Sequence, residues 1–273
     1  MNDVLGYQNQ NVVITGAASG MGAAATQLLI DAGANVYALD IGEVTAPVTK
    51  AFKVNIMDKA SIDAAVAELP GNIFGLFNCA GVAHPPTPAY ETIMINFVGL
   101  RYLTEQLLPR ISAGGGVASI ASTAGMGWKG NLDFVREFLA QDSFEAASDW
   151  LKAGKADSQA DAYGFSKQCI IVYTLQMAGE LAKQHKRINC IAPSPTESAF
   201  MDSLSSAGIG KDVTSLFCPS NGDFATGADM GQALIAINSK LGGFISGCVI
   251  PVDYGYCAEV TMGQRDNLMN ISI

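Results

Sequence analysis

The sequence predicts an α/β fold: one doubly wound domain, a parallel sheet with helices on both faces. Three observations lead there. Short β-branched runs alternate with longer stretches of helical periodicity, the order that parallel βαβ units require. No Pro/Gly/Ser-rich linker and no internal repeat divides the 273 residues. An apolar fraction of 49% supplies one large core and excludes disorder.

The elements follow in order. "NVVIT" (11–15) is a buried strand, and the helix through "MGAAATQLLIDAG" stops at Gly33, a residue suited to a left-handed C-terminal turn. "NVYALD" (35–40) is the second strand and "AFKVN" (51–55) the third. A helix beginning near Asp58 leads to the strand "IFGLFN" (73–78). Residues 90–111 carry apolar side chains at helical spacing, and "GVASIAS" (116–122) returns to strand. A long helix over 161–186, the strand "RINCIA" (187–192), a helix near 227–240 and the strand "CVIPVD" (248–253) complete the sheet.

Sixteen basic against 25 acidic residues give a net charge of −9, which disfavours a nucleic-acid partner. No stretch reaches the roughly 18 apolar residues of a membrane span. The N-terminus MNDVLGYQNQ lacks an apolar segment and does not read as a signal peptide, so a cytosolic chain is expected. Cysteines 79, 169, 190, 218, 248 and 257 are scattered without a CxxC pair, and His84 and His185 stand far apart. Neither a metal site nor a disulfide framework is expected.

"TGAASGMG" (15–22) lies between the first strand and its helix. Gly16, Gly20 and Gly22 lack Cβ, so the loop carrying Ser19 and Met21 lets phosphates approach the backbone at a helix N-terminus. Asp40 ends the second strand, where a carboxylate accepts hydrogen bonds from an adenosine ribose and repels a 2′-phosphate. Ile41 and Gly42 offer no base to hold that phosphate, so NAD is expected over NADP. Asn55 and Ile56 are candidates to border the adenine.

Further along stand "NCAG" (78–81), Asn96 in "IMINFVG", Ser122 in "SIASTAG", and Tyr163 and Lys167 in "AYGFSKQ". Residues i and i+4 share a helix face, so the ammonium of Lys167 can lie beside the Tyr163 phenol. That would lower the phenol from its usual pKa of about 10 toward working pH. Ser122 can hydrogen-bond a substrate oxygen where Tyr163 exchanges its proton.

In this order, from about residue 10 to 255, the chain resembles the short-chain dehydrogenase/reductase family, and a single Rossmann domain is implied. The resemblance implies that Asn96 holds a water in a proton relay behind Lys167. It also implies that Asn78, Ala80, Gly81, Tyr163, Lys167, Pro193, Thr196 and Ser198 contact the dinucleotide. Two departures stand out: Ser194 where glycine is usual, and Tyr254 in "PVDYG" where the family has a second glycine.

Ser122 and Tyr163 are separated by far more than the dozen or so positions usual in the family. Leu132, Val135 and Leu139, then Phe144, Ala147 and Leu151, repeat at i, i+3 and i+7, predicting two amphipathic helices, with Ser143 capping the second and Gly154 ending it. The segment 128–157 reads either as a substrate lid or as a hairpin packed on the body. Such an insertion is similar to that of the bacterial 3α-hydroxysteroid dehydrogenase/carbonyl reductase and coniferyl-alcohol dehydrogenase-like branch, in which it covers a helix face used for tetramers. A homodimer is implied, with a homotetramer as the alternative. The expected activity is NAD-dependent interconversion of a secondary alcohol and a ketone on a bulky apolar substrate. A 3α-hydroxysteroid or bile acid leads, a coniferyl-type aryl alcohol is second, and a non-catalytic dinucleotide sensor is third.

Overall fold

In the computed structural model, which describes residues 3–159 and 161–272, strand β1 (Asn11–Thr15) sits between parallel neighbours β2 (Asn35–Asp40) and β4 (Ile73–Asn78). The sheet grows outward to β3 (Lys50–Lys53) on one edge. On the other it passes through β5 (Ile111–Ile120) and β6 (Arg187–Pro193) to β7 (Val249–Val252). The chain changes direction between β3 and β4, so the carboxyl ends of β1 and β4 part at a switch point, where open α/β sheets bind ligands.

Helix α1 (Gly20–Asp31) packs with α10 (Gly227–Asn238) on one face, around Val12, Ile14, Leu29 and Leu234. The other face carries α2 (Lys59–Glu68), α4 (Leu100–Leu107) and α7 (Ala162–Lys183). Local chemistry sets several ends. Asp58 accepts the Ala60 N–H at 3.0 Å to start α2, and Thr226 with Asp229 forms a capping box at α10. Gly33 takes φ +79 just past α1.

Three boundaries differ from the sequence expectation. The third strand ends at Lys53, because the Val54 side chain turns into the core while its N–H bonds the Asp40 carbonyl. The stretch 90–111 is not one helix: α3 (Ala89–Ile93) passes into a π-helical turn, Met94–Gly99, before α4. The fifth strand starts at Ile111, since its glycine-rich first half pairs with β4 without an apolar pattern to announce it.

The insertion forms α5 (Leu132–Leu139) and α6 (Phe144–Lys152). Ser143 Oγ accepts the Ala146 N–H at 3.1 Å, and Gly154 adopts φ +72 beyond the end. Val135, Phe138, Leu139, Ala147 and Leu151 are buried in one cluster with α7 and the π turn. The Phe138 ring lies 5.0 Å from Trp150, 5.6 Å from Phe165 and 5.9 Å from Phe97. The Asn131 amide bonds Gln159 and Gln168, each at 2.8 Å, and Arg101 of α4 donates to the Leu139 and Gln141 carbonyls. Of the two readings of 128–157, this packing favours the hairpin on the body. Both apolar stripes lie on the body, where these aromatic rings pack against α7 and Phe97.

Past β6 come α8 (Ala199–Ser206) and α9 (Lys211–Thr214), and past β7 comes α11 (Tyr256–Thr261). No residue of α8 is buried. Among the described residues no helix is long and apolar enough to cross a membrane. The six cysteines are free, and no group of His, Cys, Asp or Glu among the described residues is arranged to hold a metal.

Candidate active site

The three glycines after β1 do three different things. A Cβ on Gly16, at φ +68, would stand 2.7 Å from the Ala80 backbone nitrogen, so Gly16 lets β1 and β4 end side by side. A Cβ on Gly22 would meet the Gly16 carbonyl at 2.0 Å, so Gly22 seats the helix on the turn. Only Gly20, at φ +55, faces open space, with Ser198 Cβ at 3.7 Å as the nearest neighbour. The expectation that all three leave room at the backbone is therefore corrected: only Gly20 does, with exposed Ser19 and half-buried Met21 beside it at the start of α1.

Asp40 reaches across to the same loop. One carboxylate oxygen accepts the Ala18 N–H at 2.9 Å and the other the Gly42 N–H at 2.7 Å. No ion pair among the described residues uses it, although the sheet register sets Lys53 beside it, a neighbour invisible in linear order. Asn55 Oδ1 accepts the Met57 N–H, which fixes the bend after β3. The Ile56 side chain is buried in the core, and a Cβ on Gly99 would lie 1.9 Å from the Ile56 carbonyl. The side chain expected to border an adenine is thus packed inward.

Asn78 is also turned inward. It is 3% exposed, and its amide donates to Thr104 and Ser119 under the strand ends. Ala80 and Gly81 do reach the surface of the cleft: the Ala80 N–H bonds Thr15 Oγ1, and Gly81 is exposed. A Cβ on Gly81 would stand 3.2 Å from Asn96 Oδ1 and 3.6 Å from Lys167 Nζ.

The four candidates for proton transfer converge on this spot from three elements. Asn96 is wholly buried in the π turn, where it accepts the Val82 N–H at 2.8 Å and donates to the Val82 carbonyl and to Ser166. Such single-turn departures from α geometry are frequent at functional sites. Ser122 lies just past the end of β5, where it caps a short turn and accepts the Ala124 N–H. Tyr163 and Lys167 occupy the first turns of α7, with the ammonium 5.5 Å from the phenol ring centroid.

The electrostatics depart from expectation. Burial pushes the Tyr163 phenol up to about 12, the neighbouring Ser122 hydroxyl pulls it down, and Asp161 raises it again. Lys167 is pushed down to about 8 by burial, opposed by the Cys79 and Cys190 thiols. The ammonium was expected to depress the phenol. Instead it donates to the Ile120 carbonyl at 2.9 Å and lies toward the ring of Tyr163.

The segment after β6 folds back over the glycine loop. Pro193 ends the strand, Thr196 Oγ1 donates to the Ser194 carbonyl, and Ser198 lies over Gly20. Ser194 is buried, its N–H bonded to the Val252 carbonyl, so the residue in the glycine's place continues the β6–β7 pairing. Tyr254 takes the left-handed φ of +49 but its ring is 86% exposed, pointing away from the body.

One neighbour of the site escaped sequence reasoning. Phe200, in α8, places its ring 5.2 Å from that of Tyr163. A lone aromatic in the polar run "ESAFMDS" carries no periodic signal, and only the tertiary fold puts it over the phenol. His84 bonds the Thr87 carbonyl through Nδ1, which ties it into its own turn.

A model of short chain dehydrogenases matches residues 10–132, and a model described as enoyl-(acyl carrier protein) reductase matches 148–257; the gap between them falls in the helical hairpin. The coniferyl-alcohol dehydrogenase of a Pseudomonas species is 28% identical, covering 90% of this chain and 96% of its own. The 3-alpha-hydroxysteroid dehydrogenase/carbonyl reductase of Comamonas testosteroni is 26% identical over 93% and 98%. In fold, the chain is similar to the 3-alpha-hydroxysteroid dehydrogenase of Pseudomonas sp. B-0831, solved with NADH, at a TM-score of 0.77 and 24% identity over 92% and 98% of the two chains. Matched along both halves, this chain belongs to the short-chain dehydrogenase/reductase family, oxidoreductases that act on alcohols with a nicotinamide dinucleotide.

Proposed function

We propose that the protein is an NAD-dependent dehydrogenase for an apolar, ring-bearing alcohol. The observation that carries this reading is the convergence of Ser122, Tyr163, Lys167 and Asn96 beside Gly81, at the end of the same cleft that Gly20 and Asp40 open. A non-catalytic sensor has no need of that convergence. The residues fit a dinucleotide: Gly20 leaves room for phosphate, and Asp40 faces the loop with a carboxylate that has no cationic partner. When bound, the nicotinamide takes or gives the hydride.

The chain's own part is to orient the alcohol and move its proton. Ser122 holds the substrate oxygen, and Tyr163 exchanges a proton with it. With its pKa up at about 12, the phenol carries its proton at neutral pH and is ready to donate one to a carbonyl. Oxidation needs the phenolate, so it should quicken as pH rises. Lys167, between the Ile120 carbonyl and the phenol ring, is placed to reach a ribose, and Asn96 closes the wall behind it.

For the substrate, the Phe200 ring over Tyr163 favours a flat ring held edge or face against an aromatic, which matches a coniferyl-type alcohol. The hydroxysteroid reading drew on a covering lid, and the burial of the hairpin's stripes removes that support. It stands second, favoured by the Comamonas relative. Because the hairpin covers α4 and α7, we read the assembly as a dimer.

Two backbone N–H groups hold the Asp40 carboxylate in place, so it cannot swing aside for a 2′-phosphate. NAD should therefore be preferred over NADP by about tenfold or more, roughly 1.4 kcal/mol per decade. The test is purified protein with each cofactor against coniferyl-type alcohols and 3α-hydroxysteroids, read at NADH absorbance. Comparable kcat/KM for NAD and NADP would overturn the cofactor reading, and no turnover on any alcohol would overturn the activity.

A further inference from the structure

Ser166 stands in α7 immediately before Lys167 and is wholly buried. Within a helix a serine hydroxyl bonds back to a carbonyl one turn earlier. Here Ser166 Oγ donates to the Tyr163 carbonyl at 2.7 Å. With its proton so directed, the oxygen can only accept from other groups, and it accepts the Asn96 amide at 3.1 Å. The second amide hydrogen of Asn96 goes to the Val82 carbonyl at 3.0 Å, and Asn96 Oδ1 accepts the Val82 N–H at 2.8 Å. Turned over, the amide would set its NH2 against the Val82 N–H and its oxygen against an oxygen with no proton to offer. Val82 and Ser166 therefore impose one orientation together.

We propose that Ser166 is a positioning residue for the proposed dehydrogenase chemistry. Through Asn96 it locks the loop after β4, residues 79–82, to the first turn of α7, keeping the Gly81 side of the dinucleotide cleft in register with Tyr163 and Lys167. The three elements so joined are far apart in sequence, and they meet where a Cβ on Gly81 would touch both Asn96 and Lys167. Losing the Ser166 oxygen leaves a buried Asn96 N–H without a partner and frees the amide to turn, which loosens Val82 and with it Gly81. This inference rests on the dehydrogenase reading for its catalytic consequence, not for its geometry.

The test compares wild type with Ser166→Ala, Asn96→Ala and the double variant. Loss of a partner for the buried Asn96 N–H lowers the melting temperature under either role, so a merely structural serine predicts lower stability with unaltered cofactor binding and unaltered exchange at Val82. The proposal predicts at least tenfold faster amide hydrogen exchange at Val82 in the ligand-free protein, an NADH Kd raised severalfold, and kcat lowered about tenfold. In the Asn96→Ala background, Ser166→Ala should change each of these less than twofold, since the two act as one unit. Ser166→Cys, nearly isosteric and a poor acceptor, serves the same comparisons should Ser166→Ala not fold. Wild-type exchange at Val82 with unchanged NADH Kd, or effects that multiply in the double variant, would overturn the proposal. If wild type turns over no alcohol, the exchange and NADH arms still decide it, and only the proposed activity fails.

Discussion

The helical hairpin 132–152 and α8 both leave the carboxyl end of the sheet, and both are amphipathic segments close to Tyr163. They are held in opposite ways. The hairpin buries Val135, Phe138, Ala147 and Leu151 and anchors its ends through Asn131, Gln159 and Gln168, whereas α8 has no fully buried residue and touches the site through half-buried Phe200. A cover that opens must have few buried contacts to break, because local opening draws on the least stable parts of a fold. By that measure α8 has less to break than the hairpin in moving over the phenol. The position of 128–157 between Ser122 and Tyr163 suggested a lid, but the apolar periodicity that made its two helices legible also fastens them to the body.

The widest expected difference is in stability. Phe138→Ala should destabilise the protein by about 3–5 kcal/mol through the cavity left among Trp150, Phe165 and Phe97. Phe200→Ala should stay within about 1 kcal/mol of wild type while raising KM for ring-bearing alcohols. Chemical denaturation and initial rates on both variants check the pair, and equal stability losses would erase the distinction between buttress and cover.

Tyr163→Phe tests whether the chemistry between the two regions is separable from both. It should lower kcat at least about a hundredfold while leaving NADH affinity and melting temperature near wild type. A variant that keeps more than a tenth of kcat would remove the assignment of Tyr163 as the proton donor and acceptor.

A smaller, pH-dependent effect should belong to the site and not to the hairpin. Lys167 is depressed to about 8 in the folded chain against 10.5 unfolded, so below pH 8 folding must bury a charge. Between about pH 8 and 10.5 the unfolded chain binds more protons than the folded one, and stability rises with pH. Lys167→Met removes that term. The variant should be more stable than wild type at pH 7, with the gap narrowing as pH climbs through that window. Melting curves at pH 7, 8.5 and 10 read it, and a pH-independent gap would place the depressed pKa in error.

The least effect is expected at the hairpin's outer edge. Lys59 and Glu145 pair at 3.1 Å between α2 and α6, with both side chains well exposed. Glu145→Gln should leave the melting temperature unchanged within error. A measurable drop would mean that the hairpin leans on this charge as well as on its aromatic face.

Much of this molecule was legible in linear order. The strands at 11–15, 35–40 and 73–78 announced themselves because each is a short, mostly apolar run, and Ser143 and Gly154 marked the ends of α6 because capping is local chemistry. Tyr163 and Lys167 were legible for the same reason, four residues on one helix face. Side-chain direction was not legible. Asn78 and Ile56 stand at the right strand ends yet point into the core, and whether a strand-end residue faces cleft or core depends on the helices packed beneath it. The depressed phenol was argued from the i, i+4 spacing alone. Burial, a three-dimensional quantity, outweighed it.

The sequence by itself determined the order of the elements, the glycine turn, Asp40 and the Tyr163–Lys167 helix face, since each depends on neighbours within a few residues. Only the tertiary structure decided which glycine faces open space, that Lys53 stands beside Asp40, that the hairpin lies on α7, and that Phe200 lies beside Tyr163 and Ser166 holds Asn96. These are contacts between segments far apart along the chain. Their pairing is chosen by the packing of the whole core, which no local stretch of residues encodes.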